Sequence, residues 1–521
     1  MKQYNNYADL ITFTRASSGT ALRPISYGDE LVVNGTFDSD SDWVLSSGIT
    51  ISDGVMNVDT PANSFPRQEY NFSGLKTYIV IYEIKNYVSG SLTVRFESGP
   101  DIIAADDAKS ENGVFSVNLY LAEDCNKIVL RCNSGSVFEI DNISIREVLF
   151  DQPDGTLTLF NHPTNIPRIE YDADGNRLGL LVEESRTNLI EYSEDFTQWA
   201  SSTASLTVDA TQSPDGNENA TLLASTGFSI YPRINESLSI SGPTTLTFSI
   251  YVKENTGDNI FIRFTGTNLA GGGGTVSVTR FEFATESFTT ASGTTAESRL
   301  FQKLNNGWYR IAITLSGDTF TNIGVYPEFA ETSTDSTYIY GAQLEEGSFP
   351  TSYIPSNSGS TTTRSADVAS IGVSEFGYNQ SEGTVVAEFA TLSTEGARGN
   401  DGVFSLEADG DDLQRVYIAA SDALNWQMRV GGSTTFATAL VNPLVENLTH
   451  KIAISFESGR QDGCIDGNSV TSFGTATTMP ATASLVKVGY INTGDFLNGH
   501  IKSLRYYPRA LTATQIQELT S

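Results

Sequence analysis

The sequence predicts an all-β chain of three tandem antiparallel β-sandwiches joined by a small bridging β element. Three observations carry that expectation. Alternating or β-branched runs recur between Gly, Asn, Asp and Ser turns, as in KTYIVIYEI, GSLTVRFES, KIVLRC and FEIDNISI. One outline occurs twice, opening at VVNGTFDSDSDW and again at NLIEYSEDFTQW. With 521 residues, 45 glycines and 28 phenylalanines, the chain is turn-rich, aromatic-rich and too long for one hydrophobic core.

Taken in order, residues 1–30 form a short amino-terminal element containing LITFTRAS. Residues 31–148 form the first sandwich. Its stations are VVNGTFDSDSDW, GVMNV, KTYIVIYEIKNYVSGSLTVRF and SGSVFEIDNISIREVLF. Residues 149–186 carry two turn signals, PDG and DADG, between short strands, and read as an extended bridge. Residues 187–355 repeat the outline with NLIEYSEDFTQW, SLTVDAT, TTLTFSIYVKENTGDNIFIRF and STDSTYIYGAQLEEGSF. This copy adds Gly271–Gly274, read as a flexible hairpin, and the turn and strand NNGWYRIAITL. SNSGSTTTRSADV, 356–368, has the composition of a linker. Residues 369–521 then supply the strands of a third sandwich, and LTATQIQELTS closes as a helix. Thr512 is its N-cap, and Ile516 and Leu519 share one face.

The bulk charge excludes one function class. With 62 acidic and 31 basic residues the formal charge is −31. Such a surface repels phosphate backbones, so no nucleic-acid partner is expected. MKQYNNYADLITF lacks the apolar segment of a cleaved leader, and no run of roughly 18 apolar residues occurs, so no membrane insertion is expected. The three cysteines, Cys125, Cys132 and Cys464, are odd in number and contain no CxxC. They suggest neither a disulfide framework nor a zinc site.

Several motifs resemble known families. HKIAISF, the turn at DGNSV, and HIKSLRYYPRAL with its following helix resemble the ending of concanavalin A-like, laminin-G-type jelly rolls. Asn34, Gly35, Phe37, Trp43 and the closing Ile140–Ile145 resemble carbohydrate-binding-module jelly rolls of the galactose-binding type. The package of TFTRAS, NIPRIEYD and LLVEESRTNLIEYSEDFTQW is similar to structural proteins of tailed bacteriophages and prophages. There the first two pieces usually lie close together; here the whole first sandwich stands between them, as an inserted copy. This resemblance implies a virion protein of the tail or fibre, attached to host surface glycans and to other virion proteins. It also implies homo-oligomers, with trimers the usual fibre solution, and particle docking through the amino-terminal element. It further implies that Leu10–Thr20 pairs with the 150–186 bridge. A purely architectural adaptor and a polysaccharide depolymerase are the alternatives.

Candidate site residues follow from chemistry. Asp38, Asp40 and Asp42, with Asp141 in the closing strand, offer the hard oxygens that calcium takes. The same three aspartates also suit a polar turn closed by Asx-type hydrogen bonds. Trp426, Tyr417, Tyr82, Tyr87 and Tyr251 are candidates for stacking on a sugar ring, if they face a loop or an open sheet. Trp43 and Trp199 sit at equivalent places, where a core role competes with stacking. Glu183-Glu184 and Glu345-Glu346 are adjacent pairs whose members point to opposite faces of a strand. That arrangement suits solvent and bridge contacts better than a catalytic carboxylate pair. His162, His450 and His500 are scattered, and no G-x-S-x-G, H-E-x-x-H or P-loop occurs. No enzymatic activity is expected.

Overall fold

The computed structural model describes residues 11–226, 231–329, 334–392, 400–441, 443–446, 448–473, 478–492 and 494–521. Contacts along the backbone divide the chain into two compact units. One is Pro24–Thr156; the other combines Met1–Arg23 with Leu157–Ser521.

Pro24–Thr156 is a two-sheet sandwich. Strands Arg67–Phe72, Cys125–Cys132, Leu92–Ser98 and Asp101–Ala105 form one antiparallel sheet in that order. In the other, Val137–Phe150 pairs with both Val55–Asp59 and Lys76–Ser89, and the latter pairs with Gly113–Leu121. The alternation of these strands buries one side of each sheet. Val80, Tyr82, Ile84, Val94, Phe96, Ile128, Leu130, Ile140 and Ile145 make the core between them.

The repeat unit recurs in the larger unit with one change of alignment. Closing strand Ser336–Glu346 pairs with Arg233–Glu254 on one side and Ala220–Ser225 on the other. It is therefore ATLLAS that takes the place of GVMNV. SLTVDAT pairs outside it, as Ile49–Ser52 pairs with Val55–Asp59 in the first copy. Arg233–Glu254 and Trp308–Tyr326 are long strands whose mutual register slips at Ser237/Ile240 and Ser241/Thr244. Bulges of this kind bend a sheet, and these ten strands pair continuously around one core of Phe248, Ile250, Phe264, Ile311 and Leu344. Gly271–Gly274 lies at the turn between Asn259–Leu269 and Gly274–Glu282.

The carboxy-terminal sandwich recruits strands from far upstream. Its first seven-stranded sheet begins with Thr12–Thr14, paired to Val368–Gly372. Its second begins with Ile169–Tyr171 and Arg177–Val182, the latter paired to Gly499–Tyr507. Phe13, Ile169, Leu180 and Val182 join Phe389, Trp426 and Ile454 in one core. The boundary at 369 and the separate bridge at 149–186 are thus corrected, because those apolar residues are covered by the third sandwich itself. The expected linker 356–368 is also corrected. Thr362–Arg364 pairs with Arg186–Asn188, and Ser356, Arg364 and Asp367 are buried. Those three polar side chains lie inside the fold, while Asn357, Ser358, Ser360, Thr361 and Thr363 stay exposed. The docking role expected of residues 1–30 falls partly on 1–10, which lie outside the described residues.

Helix Ala513–Thr520 ends the chain. Thr512 caps it: its hydroxyl accepts from Gln515 N, and the Gln515 side chain accepts from Thr512 N at 3.0 Å. Ile516 is buried and Leu519 packs beside it.

Candidate functional site

The segment Glu183–Asn188 organises a polar region of the larger unit. Glu183 and Asn188 point inward, while Glu184 and Arg186 line a groove. Asn188 is wholly buried and uses its full hydrogen-bonding capacity. It donates to Ala342 O (3.2 Å) and Ile354 O (2.9 Å), and accepts from Ile190 N (3.0 Å) and Leu344 N (3.1 Å).

Glu183 enters a cluster of five buried charges drawn from four distant segments. Arg168 Nη2 lies 2.7 Å from Glu183 and also contacts Asp367. Arg15 Nη1 is 3.1 Å from Asp367, and Arg364 is 3.5 Å from Glu183 and 3.8 Å from Asp367. Arg15 also donates to the Ser17, His162, Pro163 and Ile166 carbonyls, and its own backbone N donates to Asn165 Oδ1. Burial alone would raise the Glu183 carboxyl, but Arg364, Arg168 and two bonds from Ser352 hold it well below the usual carboxylate range. Burial and neighbouring Arg168 push the Arg15 guanidinium down to about 10. Three guanidiniums face two carboxylates here, so backbone carbonyls carry part of the balance. No face of this cluster is open to solvent, and its role is to join segments.

The groove lies on the opposite side of the same two acidic pairs. Glu345 is buried and accepts from Thr351 N (2.6 Å) and Thr351 Oγ1 (2.7 Å), and burial pushes its carboxyl up. Its neighbour Glu346 lines a cavity of about 730 Å³ with Glu184, Arg186, Thr244, Thr245 and Ser348. Arg186 is held on three sides. Its Nε and Nη2 lie 2.7 and 2.6 Å from Glu184 Oε1, and its guanidinium sits 5.1 Å above the Phe349 ring. Gly347 makes this possible: it sits at φ +134°, and a Cβ there would come within 2.0 Å of Arg186 Nη1. A fixed fork of donors, carboxylate acceptors and several hydroxyls on one open surface match the vicinal hydroxyls of a sugar. The alternation of the two Glu-Glu pairs is visible in the sequence. That both outer members face one groove is not, because it depends on how Arg186–Asn188 and Ser336–Glu346 are brought together.

The stacking candidates are placed otherwise. Trp426, Tyr82 and Tyr251 are core residues at 0, 0 and 2% exposure, so none has a ring face for a sugar. Trp426 packs against Phe436, Tyr82 donates to the Asp106 carboxylate, and Tyr251 packs edge-on to Tyr353. Tyr87 is half-buried, stacked on Phe138 and bonded to Gly90 O. Tyr417 is half-buried with Arg415 over its ring. Asp38, Asp40 and Asp42 are exposed. Thr36 donates to Asp38, Ser41 donates to Asp42, and the Asn34 side chain closes the loop on the Ser39 and Ser41 carbonyls. Asp141 is instead paired with Lys85 at 2.8 Å. Among the described residues no group of three His, Cys, Asp or Glu converges as a metal site, and Asp38 and Asp42 take part in a polar, hydrogen-bonded turn. Trp43 and Trp199 are both core residues. Each packs on a phenylalanine and donates its indole N–H to a backbone carbonyl, of Asn34 and Tyr192 respectively.

Comparison with known proteins adds one family match. Residues 356–517 match the model of the concanavalin A-like lectin/glucanases superfamily, laminin-G type. No curated protein sequence matches the chain. Similar solved structures include the CBM40 module of a Ruminococcus gnavus sialidase bound to α2,3-sialyllactose. It shows 14% identity over 27% of this chain and 84% of that one, with a TM-score of 0.24. A tandem CBM22 domain from Paenibacillus barcinonensis Xyn10C shows 12% identity over 61% and 98%, at 0.22. Mouse laminin α1 domains LG4-5 show 10% over 63% and 95%, at 0.21.

Proposed function

We propose that this chain is a non-enzymatic structural protein of a tailed-phage or prophage particle that attaches to host surface glycans, and that the Arg186 groove holds the sugar. The observation that carries the reading is the groove itself, with Arg186 fixed between Glu184 and Phe349 and with Glu346 and hydroxyls around it. The laminin-G-type match over 356–517 supports a surface-binding β-sandwich protein, and the TFTRAS, NIPRIEYD and LLVEESRTNL package supports the particle. Binding is the reading we favour because Glu184 is engaged by Arg186 at 2.6 Å, so the groove presents a fixed polar surface. Shallow polar grooves bind single sugars weakly, and several copies in an oligomer on the particle would multiply that affinity.

The test is a glycan array and host-cell binding assay on the full chain, on Glu346→Gln and on Arg186→Gln, with released reducing ends measured in parallel. Saturable binding that both substitutions weaken, without sugar release, is the expected outcome. Equal binding by both variants would remove the groove, and release of oligosaccharide would restore the depolymerase reading.

A further inference from the structure

The Pro24–Thr156 sandwich carries a second feature that the Arg186 groove does not involve. The unit is acidic, with 21 Asp and Glu against eight Lys and Arg between positions 24 and 156. Four of those eight cations nevertheless share the outer face of one sheet. Inward-facing Leu92, Val94, Phe96, Ile128, Leu130 and Cys132 belong to the core. Alternation therefore turns Thr93, Arg95, Glu97, Lys127, Val129 and Arg131 outward.

Register places three of the arginines around one apolar residue. Val129 lies opposite Arg67 on one neighbouring strand and opposite Arg95 on the other. Arg131 lies two residues along, opposite Thr93. Strands about 4.8 Å apart, with diagonal neighbours about 7–8 Å apart, bring all three within reach of one spot. Val129 at the centre is only 2% exposed although it faces away from the core, while the flanking Arg67 and Arg95 side chains retain 40 and 20% exposure.

Their charges are unequally used. Arg67 bonds Glu69 at 3.0 Å, and Lys127 is taken by Gly99 O at 2.7 Å and Glu97 at 3.7 Å. Arg95 reaches Glu97 only at 4.0 Å, and its Nε is buried without a hydrogen bond among the described residues. The Arg131 side chain makes no hydrogen bond or ion pair among the described residues. Arg95 and Arg131, diagonal neighbours on this face, thus have guanidinium donors to spare in a unit where cations are scarce.

We infer that this face binds a carboxylate-bearing sugar, with Arg95 and Arg131 as the recognising forks and Arg67 at the rim. Guanidinium and carboxylate match in bidentate geometry, and the apolar stems around Val129 can take the edge of a sugar ring. The patch is about one Debye length across at physiological salt, roughly 8 Å, and acidic surface surrounds it. A short acidic stretch therefore fits better than a long polyanion such as a nucleic acid.

The experiment is titration calorimetry of the full chain with an oligogalacturonate, with its methyl ester as the neutral control and single-stranded DNA as the polyanion control. The variants are Arg95→Gln/Arg131→Gln, Arg131→Gln alone, and Glu346→Gln from the other unit. Saturable binding of the acid only is expected. It should weaken by about tenfold in the single variant and more in the double, and be unchanged in Glu346→Gln. The Arg131 side chain supports no bond among the described residues, so its substitution leaves folding intact. Equal binding of the ester or of DNA, equal binding by both arginine variants, or no saturable binding of the acid would overturn the inference. Loss in Glu346→Gln alone would overturn it while supporting the groove.

Discussion

Asp367→Asn tests the buried charge cluster most sharply. The substitution is nearly isosteric, yet it removes the one carboxylate that faces Arg15, Arg168 and Arg364 together. The cluster has three cations and two anions, so losing Asp367 leaves three buried guanidiniums against Glu183 alone. Breaking a buried ion pair by removing one partner costs about 3–5 kcal/mol. At about 2–4 °C per kcal/mol for a large domain, the melting transition should fall by roughly 6 °C or more. Arg364→Met in the same background removes one cation and restores the original difference of one charge. The double variant should therefore recover part of the loss, by about 0.5–3 kcal/mol of coupling. Calorimetry of the wild type, both single variants and the double variant gives the cycle. Hydrogen exchange in Thr12–Thr14 and Val368–Gly372, the strand pair that Arg15 and Asp367 flank, should report the loosening directly. A loss below about 1 kcal/mol for Asp367→Asn, or strict additivity in the double variant, would refute the claim that charge balance governs this junction.

The remaining predictions concern neighbouring features. Glu183 has a folded-state pKa below its unfolded value, so its contribution to stability is complete above the ordinary glutamate range. That contribution is lost as pH falls below about 4.3, and melting temperature against pH should steepen there in the wild type but less in Glu183→Gln. Asn188→Leu strands two buried carbonyls and two buried N–H groups, at about 1–3 kcal/mol each; chemical denaturation should show a loss of at least about 3 kcal/mol, and a neutral result would contradict the bonding described. Cys125 and Cys132 are buried thiols pushed up to about 11 and about 12, chiefly by burial. A thiol reagent at pH 8 should leave both unmodified in the native chain and label both after denaturation, as peptide mapping would show.

Much of the architecture is local enough to read from the residues in order. Runs such as KTYIVIYEI announce strands because side-chain alternation needs only the next residue. The Thr512–Gln515 capping box and the paired Phe37–Trp43 and Phe196–Trp199 contacts lie within one turn or one loop. The repeat is legible too, although ATLLAS and not SLTVDAT stands beside the closing strand. The aromatic candidates were harder. Tyr82 and Tyr251 stand on strands whose alternation was clear, but alternation says only that neighbours face apart. Which of the two faces meets a core depends on the opposing sheet.

The same limit divides this protein as a whole. Its sequence by itself determined the all-β class, the duplicated sandwich, the closing helix and the opposite facing of Glu183 from Glu184 and of Glu345 from Glu346. These follow from periods of two or four residues and from turn chemistry. Tertiary structure decided that Thr12–Thr14 and Arg177–Val182 complete the carboxy-terminal sandwich, and that Arg15 meets Asp367 across 352 positions of sequence. It also decided that Glu184 and Glu346 share a groove and that Arg67, Arg95 and Arg131 surround Val129. A charge carries no periodic signature of its partner. Burial forces it to find one, and only the packing of remote strands determines which partner is within reach.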